Sequence, residues 1–192
     1  MGLFVLKPLY AKLSAIMITA YLKQLRSLWL QPSDFYSQVV LQEGEGESSR
    51  FSVLTALFVA LELGLVEAFS DRSIWIVALV TVILLVAMPF LVTVWTYLWS
   101  GFIKLCAGLL GESLPWEPLR RVVAYSAAGL TALGLGYGLG KWVALATFLF
   151  QVIGIEKAIR CSRWTAIVYV GLPFSMVAVL GGFFAFMFKV FK

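Results

Sequence analysis

Residues 73–103 read SIWIVALVTVILLVAMPFLVTVWTYLWSGFI, 31 positions without a charge between Arg72 and Lys104. A helix that spans a bilayer needs roughly 20 apolar residues, whereas a surface helix of a soluble protein keeps a polar face. This run has no such face, so the medium it suits is lipid. A second uncharged run, Trp164 to Phe188, covers 25 residues and reads the same way.

Composition agrees. The chain of 192 residues is 61% hydrophobic and 13% charged, with a mean hydropathy of +0.95. A soluble domain has about a quarter of its residues charged. The net charge is +5. The basic residues flank apolar runs instead of forming a block, which points to the bilayer and anionic lipids as partners and away from nucleic acid. There is no histidine, which removes the usual general base and metal ligand. Cys106 and Cys161 have no CxxC partner, so neither a zinc site nor a redox motif is readable. The reading is of a non-enzyme, with no catalytic, cofactor-binding or metal-binding set. The N-terminal apolar stretch is interrupted by Lys7, Pro8 and Lys12 and lacks a small-residue cleavage site, unlike a signal peptide. Leu6 stands where a myristoylation motif needs Ser or Thr.

Worked outward from residues 73–103, the pattern predicts an all-α fold. It is a polytopic bundle of five transmembrane helices preceded by N-terminal interfacial amphipathic helices. The spans fall at about 51–69, 74–98, 119–138, 141–156 and 164–188. In residues 1–30, Lys12, Thr19, Lys23 and Arg26 fall along one helical face, and Leu9, Leu13, Ile18 and Leu22 lie away from it. That suits a helix lying in the interface. Pro32 breaks this helix, and Ser33 can cap the next, at about 33–42. Glu43 to Ser49 is acidic and polar and reads as a loop. The expected division is therefore 1–49, interfacial helices and acidic loop, and 50–192, the five-span domain. Trp95, Tyr97 and Trp99 read as an aromatic belt closing the second span. Phe102 to Leu110 reads as a further interfacial helix. Gly134, Gly136, Gly138 and Gly140 supply the turn between spans three and four. The run does not fit a phosphate loop, because Trp142 follows Lys141 where Ser or Thr is required.

With the N-terminus in the cytoplasm, the inner segments hold Lys7, Lys12, Lys23, Arg26, Arg50, Lys104, Arg120, Arg121, Lys157, Arg160 and Arg163. The outer ones hold Arg72, Lys141, Lys189 and Lys192. The positive-inside rule therefore favours N-in and C-out. Both cysteines then face the side where thiols stay reduced.

Glu62 is the most unusual residue. It lies about 18 Å into the first span at 1.5 Å per residue, and an acid near the bilayer centre costs roughly 2.5–3.5 kcal/mol. It should face protein or water. Ser52, Thr55 and Glu62 share one helical face, and Thr93, Tyr97 and Pro89 on the second span are possible partners. Glu62, Thr55, Thr93 and Tyr97 form a candidate intramembrane polar site. It reads either as a cation or proton site or as a structural carboxyl. Lys12, Lys23, Arg26, Arg120, Arg121, Lys157, Arg160 and Arg163 are candidate contacts to anionic lipid, attracted electrostatically.

Three segments together resemble a known family. They are Leu28-Trp-Leu-Gln-Pro-Ser-Asp-Phe-Tyr36; Leu109-Leu-Gly-Glu with Leu119-Arg-Arg-Val-Val-Ala-Tyr-Ser126; and Gln151-Val-Ile-Gly-Ile-Glu-Lys157 followed by Ser162 and Ala166. Over about 28–188 the chain resembles the Ypt-interacting protein (Yip) domain family. The resemblance implies five spans, a cytoplasmic N-terminus and a role in membrane organisation or trafficking. It supplies no catalytic residues. The family's eukaryotic members bind Rab-type GTPases. This chain lacks the long soluble N-terminal region of many of them, and Ala127-Ala128 stand where a nearby proline is common. Both departures point to a compact prokaryotic-type member in the plasma membrane and argue against Rab binding. The expected role is membrane-organising or partner-binding, toward other membrane proteins or a second copy. The alternative is a small oligomeric transporter or channel using Glu62.

Overall fold

The computed structural model describes the backbone of residues 3–42, 45–68, 73–135 and 140–190, and side chains over 17–38, 46–68, 73–131 and 142–179. Every described element is helical. They are α1 (Leu3–Leu30), α2 (Pro32–Gln42), α3 (Glu45–Ala68), α4 (Ile74–Leu109), α5 (Trp116–Ser126), a 3-10 stretch (Ala127–Leu135), α6 (Gly140–Ile159) and α7 (Arg163–Val190). Among the described residues three helices are long and apolar enough to cross a membrane: Gly46–Ala68, Ile74–Leu109 and Trp142–Ile159. A shorter apolar stretch covers Arg163–Val179.

The charge-free run is one helix of 36 residues, α4. Its buried residues, Val92, Thr96, Trp99, Ser100, Ile103, Cys106 and Ala107, follow the helical a/d-type spacing and so make one face. They belong to its second half. The first half is apolar and largely exposed, with Trp75 at 82% and Val86 at 73%. It leans on α3, where Gly64 admits Thr81 so closely that an added Cβ would lie 2.8 Å from Thr81 Cγ2. Small residues allow this approach between apolar helices. The helix continues through 102–109, so the separate interfacial helix expected there does not form. It ends at Gly111, whose φ of +83° suits glycine, and the Glu112 amide closes back on the Ala107 carbonyl at 3.0 Å.

Two other expectations are corrected, and a third segment is helical with a change of geometry. The acidic segment is helical from Glu45, and Ser48 is fully buried. Gly46 there is not a breaker, because helix position and packing outweigh its propensity. Pro32 opens α2 as its first residue, a position that needs no amide donor, and the Phe35 amide bonds the Gln31 carbonyl at 3.0 Å. Ser33 is therefore not the cap. The third expected span, 119–138, is α5 followed by 3-10 helix. The Ala-Ala-Gly sequence at 127–129 lets the chain press on α6, since a Cβ at Gly129 would meet the Thr147 backbone nitrogen at 2.8 Å. The expected turn at Gly136 and Gly138 lies outside the described residues.

One core joins all the helices. Tyr21 and Leu28 of α1, Phe35 and Tyr36 of α2, Phe51, Trp99, Tyr125, Ile155 and Val170 share it. The Tyr125 ring packs 5.0 Å from Phe35 and 4.9 Å from Phe51. Segment 17–38 is thus embedded in the same core as the later helices. Ile18 and Leu22 on α1 are exposed, as are Lys23 and Arg26.

Candidate functional site

The four residues of the expected polar site do not converge. Thr55 is buried on α3 and accepts a hydrogen bond from the Tyr21 hydroxyl at 3.3 Å. Glu62 lies two turns further along α3 and is half-buried. Thr93 turns its hydroxyl back to the Pro89 carbonyl at 2.7 Å. Thr96 and Ser100 likewise bond the Val92 and Thr96 carbonyls. These hydroxyls satisfy α4 itself. Tyr97 is 48% exposed, with the Arg120 guanidinium 5.4 Å from its ring. Two separate groups result: Thr55 with Tyr21, Glu62 following on the same face of α3, and Tyr97 with Arg120 between α4 and α5.

The basic residues do converge. Arg120 Nη1 donates to Ser49 Oγ at 3.1 Å, which ties the start of α5 to the start of α3. Lys104 lies 5.9 Å from the Trp116 ring, which ties in the end of α4. Arg163 Nε donates to Glu156 Oε2 at 2.8 Å, joining the end of α6 to the start of α7. Leu114, just before α5, shares one buried cluster with Ile155 near the end of α6 and with Ala166 and Tyr169 in the first turns of α7. Arg50, Lys104, Arg120, Arg121, Lys157, Arg160 and Arg163 therefore gather at one end of the bundle. At that end Ser162 caps α7, accepting the Thr165 amide at 3.1 Å.

Within this end the basic residues differ. Arg120 is 4% exposed and is also held by Glu117 at 3.1 Å, so it braces the helix junction and is not a headgroup contact. Arg163 is paired with Glu156 but its side chain is 66% exposed. Lys157 lies 3.7 Å from the same carboxylate. Arg50, Lys104 and Arg160 are exposed. Lys12 lies outside the described side chains.

A buried polar chain sits just inside the basic end. The Trp99 indole donates to Gln151 Oε1 at 2.9 Å, Gln151 Nε2 donates to Ser126 Oγ at 3.1 Å, and the Ser126 hydroxyl donates to the Val123 carbonyl at 2.7 Å. Gln151 and Ser126 are each 1% exposed. Sequence reasoning missed this chain. The signal was present, because Gln151 is an amide in the middle of an otherwise apolar stretch of α6. Trp99 is 4% exposed, so only Trp95 and Tyr97 of the expected aromatic belt face outward. Among the described residues no group of His, Cys, Asp or Glu could hold a metal ion.

No family model matches the chain, and no curated protein or solved structure matches it.

Proposed function

We propose that this chain is a Yip-type integral membrane protein of a prokaryotic plasma membrane that organises lipid and membrane partners without catalysis. In this reading it has five spans, a cytoplasmic N-terminus and an external C-terminus. The observation that carries the proposal is the gathering of exposed Arg50, Lys104, Arg160 and Arg163 at one end of the helices. Each such charge near an anionic surface contributes about 1 kcal/mol. The short α5 is compatible with a span. Eleven α-helical residues followed by nine in 3-10 geometry cover about 34 Å, because the 3-10 rise is about 2.0 Å per residue. Crosslinking in native membranes from a photoreactive residue at Arg160 tests the partner role. Recovery of a discrete membrane-protein adduct or a second copy supports it, and labelling of lipid alone defeats it.

A second reading, a small transporter using Glu62, draws on Thr55 and Glu62 sharing one face of α3, with the Tyr21 hydroxyl bonded to Thr55. Glu62→Gln should then fold normally and abolish pH-dependent ion flux in proteoliposomes. Absence of flux in the unsubstituted protein rejects this reading.

A further inference from the structure

A cavity of about 290 Å³ lies between α4, the end of α5 with its 3-10 continuation, and α6. It arises where α5 gives way to the 3-10 stretch at Ala127. A 3-10 helix is narrower than an α-helix, and Ala127 and Leu130 on it leave space opposite Met88, Val92 and Trp95. Leu91 and Trp95 line the cavity and are also 55% and 49% exposed on the outer surface. The mouth therefore opens on the outer face of α4. Leu98, two turns along the same face from Leu91, is 67% exposed, and residues 73–103 carry no charge, so the medium at the mouth is hydrocarbon.

The wall decides the occupant. Ser126 already donates to Val123 and accepts from Gln151. Thr147 Oγ1, which makes no hydrogen bond, is the other lining hydroxyl. A resident water needs two to four polar partners, and a permeating ion needs more, so this wall suits neither. A dry apolar cavity of about 150 Å³ accommodates benzene. At about twice that volume, this one accommodates a hydrocarbon segment of about a dozen carbons. We propose that the cavity binds one acyl chain of a membrane phospholipid, which enters sideways past Leu91 and Trp95. The site is independent of headgroup charge and of the role proposed for the basic end.

The test uses the full chain in phosphatidylcholine nanodiscs doped with phosphatidylcholine carrying a diazirine in mid-chain. After irradiation, adducts are mapped by mass spectrometry. Cavity residues Leu91, Trp95 and Leu130 should be labelled several-fold more than Val82 and Val86 on the open face. Ala127→Phe fills the cavity and should remove the cavity adducts while leaving those at Val82 and Val86. If Ala127→Phe does not fold, the ratio in the unsubstituted chain decides alone. Equal labelling of the two sets overturns the proposal, as does cavity labelling that persists in folded Ala127→Phe. A parallel arm uses a free fatty acid with the same diazirine. Cavity labelling by the fatty acid and not by the phospholipid overturns the assignment.

Discussion

The Trp99 indole N–H meets the Gln151 side-chain oxygen at 2.9 Å across 52 residues of sequence, and both side chains are buried. With Ser126 this contact pins α4, α6 and α5 together at one level. Apolar helices gain nothing from leaving one apolar medium for another in lipid, so a polar contact of this kind helps specify which helices meet.

Trp99→Phe should lower stability in detergent by about 1–2 kcal/mol, because the Gln151 oxygen is left buried without its donor. The double variant with Gln151→Leu should lose less than the sum of the two single losses, with a coupling of about 1 kcal/mol. Thermal unfolding of the four proteins measures this. Strict additivity would show that the contact contributes no coupling.

Gly154 and Gly46 should respond to alanine in opposite directions. A Cβ at Gly154 would lie 2.5 Å from Val122 Cγ1 and 2.9 Å from Tyr36 Cε1, so the substitution should cost about 1–3 kcal/mol. At Gly46 nothing lies within 4 Å, and alanine should stabilise α3 by at most about 1 kcal/mol through helix propensity. The melting temperatures of the two variants check the contrast.

Arg120→Lys should destabilise the fold by about 2 kcal/mol. A lysine cannot reach Ser49, Glu117 and the Tyr97 face together as the guanidinium does. Arg160→Lys, at an exposed position, should leave the unfolding transition unchanged. Equal behaviour of the two variants would contradict the bracing role given to Arg120.

Cys161 should alkylate slowly at neutral pH. Burial pushes its thiol above the ordinary value, and the charge of Glu156 pushes it the same way. A raised value means a smaller thiolate fraction at pH 7, and the thiolate is the nucleophile. The rate with a small maleimide should climb about tenfold per pH unit until the pH passes the usual thiol range of about 8.5. Glu156→Gln should speed the reaction at fixed pH. A rate matching a free thiol at pH 7 would contradict the burial.

The sequence carried α4 almost unaided, because 31 uncharged residues leave few soluble alternatives. It carried the positions of α6 and α7 for similar reasons, and the helix at 1–30 through the spacing of Lys12, Thr19, Lys23 and Arg26. The helical start of α3 was hidden by Gly and Glu residues with turn-like chemistry. What makes 45–49 helical is tertiary: Ser48 is buried and Ser49 receives Arg120 from 71 residues away. The change to 3-10 after Ser126 coincides with the close fit of Gly129 to Thr147, a tertiary contact that no local pattern encodes. Helical periodicity did place Thr55 and Glu62 on one face. It could not say that Tyr21 would join them, nor that Thr93 would turn to its own helix.

The central claim, that the basic end engages anionic lipid, is tested most directly by electron spin resonance of the protein in bilayers with spin-labelled phosphatidylglycerol or phosphatidylcholine. The immobilised fraction should favour phosphatidylglycerol several-fold at low salt. The preference should fall toward unity in high salt and when Arg50, Lys104, Lys157 and Arg160 are all replaced by Gln, because an exposed electrostatic contact is screened. Equal immobilisation of the two lipids by the unsubstituted protein, or a preference that survives both treatments, would contradict the account.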